Sequence, residues 1–234
     1  MLAVVSLGIF GCGAMMAFVL SPKDALEWRN IEALPELDAS GFSALKTGDQ
    51  AAITGKLADN KTLTADGLVA YEKDVWKVSQ PDSSSSTGTP ATLSGSWNIV
   101  ETHAPELSVT ISGGTITTAT ASQVTIGGNL HVTFQPSSST LIADYQGTPL
   151  PDQSTRLQGF DNGDLLTVVG QKSSTGALIP SRLYGGDRVQ LVNDIRQQAQ
   201  SYFAAGVAAM ICAPILLIVG SLSLVFGRRR GLFG

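Results

Sequence analysis

The sequence predicts a membrane-anchored, mainly-β protein: an antiparallel sandwich or small barrel set between two transmembrane helices. Three observations predict it. Residues 1–20 and 202–227 carry no charged side chain, and an uncharged apolar run of about 18 or more residues can cross roughly 30 Å of hydrocarbon as a helix. From Gly48 onward the chain breaks into short segments rich in Val, Ile, Thr and aromatics, many of them alternating apolar and polar. Paired turn residues separate these segments, the pattern of an all-β domain.

The elements follow in order. Residues 1–20 predict an uncleaved anchor, because a signal peptide would open on a basic stretch and Met1 to Ser21 holds no Lys or Arg. Residues 21–42 predict a juxtamembrane helix and linker. Ser21 suits its cap, Pro22 its first turn, and Asp24 the acid of a capping box. Trp28 can sit at a membrane interface or pack on the domain.

Residues 43–185 predict the β domain. Its strands are expected at 50–57, 67–78, 96–103, 106–112, 115–120, 129–136 and 164–172. Their turns are expected at Gly48-Asp49, Gly113-Gly114, Gly127-Gly128 and Asp161-Asn162-Gly163-Asp164. Residues 80–96 read as a low-complexity loop. Residues 186–201 predict a helix, with an apolar face of Val189, Leu191, Val192 and Ile195, that runs unbroken into a second span at 202–227. Pro214 lies inside that span.

Charge predicts the orientation. Arg228, Arg229 and Arg230 follow the second span and mark residues 228–234 as a cytoplasmic tail. Residues 21–201 hold 12 of the 15 basic and all 19 acidic residues, a net charge of −7. A cell-membrane protein with two spans and an extracytoplasmic main domain is expected. The bilayer is then one partner, and nucleic acid is disfavoured by the acidic balance and the lack of a basic–aromatic stripe.

Residues that carry chemistry are few. Cys12 and Cys212 both lie in the apolar ends, so the domain between has no thiol for a disulfide, metal site or nucleophile. His103 and His131 fall on different expected strands with no carboxylate at metal-ligand spacing. Asp161 and Asp164 bracket a turn, where such acids usually bond their own backbone. No nucleophile elbow or phosphate-cradling glycine motif appears. No catalytic residue, cofactor site or metal site is expected. Small residues, Gly13 with Ala17 and Ala204, Ala205, Ala208 and Ala209, would let helices approach closely, within one chain or between chains.

The segments SALKTGDQAAITGKL (43–57), GLVAYEKDVWKV (67–78) and SWNIVETHAPELSVTISGGTIT (96–117), followed by residues 156–200, resemble in order the GIDE family. The membrane-side region of that family is also called the BAM ("beside a membrane") domain. Pro105, Leu107 and Gly113-Gly114 take the places of its Pro-containing segment and Gly turn. The family's ubiquitin ligases carry a zinc-binding RING after the second span. Residues 227–234, GRRRGLFG, hold no Cys or His, so ligase chemistry is not implied.

What the resemblance implies is a membrane-anchored β domain used for protein interaction or sensing, and the reading it supports is a non-enzymatic protein whose domain binds another protein or itself as a homo-oligomer. The alternative is an accessory subunit of a larger respiratory or photosynthetic membrane complex, held through its two helices.

Overall fold

The computed structural model describes residues 10–79 and 93–230, some residues of the two long helices by backbone only. It divides into two compact units, Leu34–Arg188 and a helical unit formed by Met1–Ala33 and Val189–Gly234.

Among its described residues the β unit holds twelve strands: β1 (Gln50–Leu57), β2 (Ala70–Ser79), β3 (Ser94–His103), β4 (Ser108–Ile111), β5 (Gly114–Thr117) and β6 (Thr125–Gly128), then β7 (His131–Gln135), β8 (Ile142–Tyr145), β9 (Thr148–Pro151), β10 (Thr155–Phe160), β11 (Leu165–Lys172) and β12 (Leu178–Gly185). They form a six-stranded sheet in the order β5-β4-β1-β11-β12-β6, a four-stranded sheet β3-β2-β10-β7, and the hairpin β8-β9. Every pairing is antiparallel except β12 with β6.

The main core draws on both larger sheets. Ile53, Leu57, Val109, Leu166, Val168 and Leu183 come from the six-stranded sheet, and Ala70 and Phe160 from the four-stranded one, all fully buried or nearly so. The burial of Ala51, Ala52 and Ile53 in succession shows that β1 is covered on both faces, which is why its sequence does not alternate cleanly. A short helix, Ala39–Ala44, docks Phe42 into this core, and Asp38 Oδ1 caps it by accepting from Gly41 N at 2.7 Å. At the other end of that helix Lys172 Nζ donates to the carbonyls of Phe42 and Leu45 at 3.0 and 2.9 Å. A cation at a helix C-terminus satisfies the orphan carbonyls and the dipole together.

Five strands were not legible as such from local pattern. In β10 the inward positions are Arg156 and Gln158, so its apolar–polar alternation is lost. The hairpin β8-β9 turns on Gln146-Gly147, with φ of 54° and 83°, the doubly left-handed geometry of a type I′ turn without its usual Asn-Gly signature. Strands β6 and β12 are joined in parallel across a long sequence gap.

The helical unit departs from expectation in two ways. Ser21 and Pro22 do not begin a helix: residues 10–15 are already helical, and the chain passes through a π-helical stretch, Met16–Leu20, into the helix Ser21–Ala33. Pro22 has no N–H for the carbonyl four residues back, and a wider π turn accommodates that missing bond.

The second departure is that, among the described residues, no helix is long and apolar enough to cross a membrane. Residues 1–9 of the first expected span lie outside the described residues. Charged residues follow the described part of it from Lys23. The helix Arg188–Arg230 opens with a polar, charged stretch. The expected membrane-anchored fold with spans at 1–20 and 202–227 is thereby overturned. So are the cell-membrane location and the extracytoplasmic placement of the main domain. The bilayer as a partner, and a membrane-complex subunit held by two helices, depended on those same spans.

Within the helical unit, small residues do permit close approach, and they do so inside one chain. A Cβ on Gly13 would lie 2.8 Å from Gly206 O and 2.9 Å from Ala209 Cβ; one on Gly206 would lie 2.6 Å from Gly13 O. Trp28 sits between two guanidinium groups, Arg29 at 5.3 Å and Arg196 at 5.5 Å from its ring centroid.

Candidate functional site

The four-stranded sheet carries the unusual chemistry of the β unit. Strand register places Ala70, Glu72, Asp74 and Trp76 on one face of β2, with Phe160, Gln158 and Arg156 beside them on β10. Trp97 and Ile99 of β3 and Phe134 and Val132 of β7 complete that face. One end, at Ala70 and Phe160, belongs to the main core.

The other end is a second, aromatic core. Trp76 is 3% exposed and packs with Ala143 and Leu150 of the β8-β9 hairpin. Its ring centroid lies 5.2 Å from that of Trp97 and 5.4 Å from that of Tyr145, in tilted and edge-on geometry. Gly95, on the neighbouring strand, makes room for it: a Cβ there would fall 2.0 Å from Trp76 Cζ2. The 152–154 loop holds the strand end, since Trp76 N donates to Ser154 O and Gln153 N to Trp76 O, each at 2.8 Å.

Between the two ends lies a polar layer. Arg156 Nε donates to Asp74 Oδ2 at 2.8 Å, and a second guanidinium nitrogen, Nη2, reaches the same oxygen. Asp74 is 1% exposed, and among the described residues its Oδ1 has no hydrogen-bond partner. Glu72, also buried, lies 3.5 Å from Gln158 Nε2. Burial, and next the nearby charge of Asp74, push the Glu72 carboxyl above its usual range.

At the free edge the character changes. Among the described residues β3 pairs only with β2. The register shifts between Lys73 and Asp74, leaving Val100 of β3 unpaired as a bulge. Beside it Ile99 is 62% exposed and Val100 54%.

The residues singled out from sequence are dispersed. Arg228, Arg229 and Arg230 close the long helix, and their side chains lie outside the described ones. His103 stacks on Tyr71 with ring centroids 5.6 Å apart. His131, which has no carboxylate at metal-ligand spacing along the sequence, lies 3.2 Å from Asp164, which raises its pKa. Sequence separation of 33 hid that pair. It forms because β7 lies beside β10, whose end leads into the 161–164 turn. Asp164 Oδ2 also accepts from Asp161 N at 2.8 Å, the turn bond expected of it.

A cavity of about 300 Å³ lies between Glu36, Asp38, Thr54 and Arg188, and two of its polar walls, Asp38 and Thr54, serve the fold. Asp38 caps a helix, and the Thr54 hydroxyl lies 2.9 Å from that of Thr167. Among the described residues no group of three or more His, Cys, Asp or Glu is placed to hold a metal ion. Compared with known proteins, the chain matches no family model, no curated protein and no solved structure.

Proposed function

We propose that the β unit, Leu34–Arg188, is a non-enzymatic protein-interaction module that works through the β3 side of its four-stranded sheet. The observation that carries this reading is the pair Ile99 and Val100. Adjacent apolar side chains more than half exposed sit at the middle of an edge strand of ten residues. Neighbouring exposed apolar groups of this kind mark contact surfaces more often than lone ones do, and an unpaired strand edge offers main-chain donors and acceptors to another chain.

Three ionisable groups of the unit are engaged in holding it together. Asp74 is tied to Arg156, Asp164 to the 161–164 turn, and Lys172 to a helix end. The segment order that resembles the GIDE family supports the same kind of role.

The test is affinity capture with the full chain, comparing wild type with Ile99→Lys. A protein retained by wild type and lost from Ile99→Lys, with unfolding midpoints unchanged, supports the reading. Identical retention by both would overturn it.

A further inference from the structure

From the β3 edge we infer that the partner is a second copy of this chain, paired strand to strand about a two-fold axis at Asn98. This deepens the proposed function and depends on it.

Side-chain facing picks the register. Gly95 and Trp97 are half-buried while Ser96 and Asn98 are exposed, so β3 alternates regularly up to Ile99, where the bulge ends the pattern. An antiparallel copy centred on Asn98 sets Asn98 against Asn98, Ile99 against Trp97, and Val100 against Ser96. Trp97 and Ile99 share a face of the sheet, and residues directly opposite on paired strands share a face too. Each exposed Ile99 is thereby covered by the indole of the other copy, an aromatic–β-branched pair of the favourable kind. No other register centred on the regular part of β3 gives both isoleucines an aromatic neighbour.

Charge permits the pairing. Glu101 is the only Asp, Glu, Lys or Arg in β3, and the two copies of it stand about six residue steps, ~20 Å, apart along the ladder. That exceeds a Debye length of ~8 Å at physiological salt. The arrangement also closes on itself. An isologous pair consumes the β3 edge of both copies, and the opposite edge, β7, is only five residues long. The bulge ends the new ladder at the Val100–Ser96 pair.

The experiment uses the full chain with Cys12→Ser and Cys212→Ser, both native thiols being exposed, and a single cysteine introduced by Asn98→Cys. Mild oxidation is expected to give a covalent dimer, whereas Ile179→Cys, at an exposed position on β12, stays monomeric. Ser96→Glu is then combined with either of two changes at Val100. With Val100→Glu like charges face each other and dimer yield falls about tenfold, some 1.4 kcal/mol; with Val100→Lys opposite charges face and the yield is kept. Ser96 lies beside Lys77 of its own sheet, so Ser96→Glu is tolerated by the fold in both variants.

No dimer at position 98, equal dimer at 179, or the same yield from both charge pairs would overturn the second copy. A chain that fails here yet still retains another protein through Ile99 loses only this inference. One that fails both experiments loses the interaction reading as well.

Discussion

Arg156 stands directly across from Asp74 in the β10–β2 ladder, and its guanidinium joins three neighbours at once. Nε donates to Asp74 Oδ2 at 2.8 Å, Nη1 donates to the Tyr145 hydroxyl at 3.4 Å, and the group lies 4.7 Å from the Trp97 ring centroid. One side chain thus ties the polar layer to the aromatic core and to the β8-β9 hairpin that covers it.

Removing that cation strands a carboxylate that is 1% exposed. Arg156→Ala is expected to destabilise the β unit by about 3–5 kcal/mol, the cost of a broken buried pair. Arg156→Lys should recover only part of this, because a lysine cannot make the forked, stacked contact. Denaturant midpoints of the three proteins measure it, and full recovery by lysine would show that charge alone matters.

Trp76 anchors the second core, as its burial at 3% indicates. Trp76→Ala should cost about 3–5 kcal/mol, the usual range for a buried aromatic. Gly95→Ala should cost about 1–3 kcal/mol by overpacking, since its Cβ would collide with the indole. In the double variant the two costs should not add, because the ring that clashes is gone. Thermal unfolding of the four proteins closes that cycle, and strict additivity would refute the contact.

Glu72 makes a pH prediction. Burial and the Asp74 charge raise its pKa above the ordinary 4.5, so the folded protein holds this proton more tightly than the unfolded chain does. Its contribution to stability is fully present below about pH 4.5 and is lost as pH rises through the raised value. Glu72→Gln, neutral at every pH, should unfold at a higher temperature than wild type at pH 7, and the difference should shrink towards zero below pH 4.5. A difference independent of pH would mean that the carboxyl is not the group responsible.

His131 behaves in the same sense at higher pH. The hydrogen bond that the ring donates to Asp164, with smaller electrostatic help from Asp164 and Asp161, raises it above its ordinary 6.5. The pairing is complete below about pH 6.5 and is lost as pH rises through the raised value. Proton NMR titration of the ring should find its midpoint above 6.5 in wild type and lower in Asp164→Asn. An unchanged midpoint would separate the two groups in solution.

The strands at 50–57 and 164–172 could be read directly, because core strands rich in β-branched residues and bounded by Gly-containing turns carry their own signal. The turn at Gly113-Gly114 was equally legible, since its φ values of 82° and 156° suit glycine. β10 was not. Its inward residues are Arg156 and Gln158, and only the acids of β2, placed opposite them by long-range pairing, make those side chains belong inside. The hairpin β8-β9 stayed hidden for a related reason, since Pro149 and Pro151 argue against a strand until the hairpin is seen standing outside both larger sheets.

Composition and periodicity determined that the chain between residues 43 and 185 is a β domain without a thiol. The same apolar pattern at the two ends predicted membrane spans, whereas among the described residues no helix is long and apolar enough to cross a membrane. Tertiary structure decided the rest: which strands share a face, that His131 meets Asp164, and that β3 is left at an edge with Ile99 uncovered. Those are relations between residues far apart in sequence, created by sheet pairing, and no local pattern encodes them.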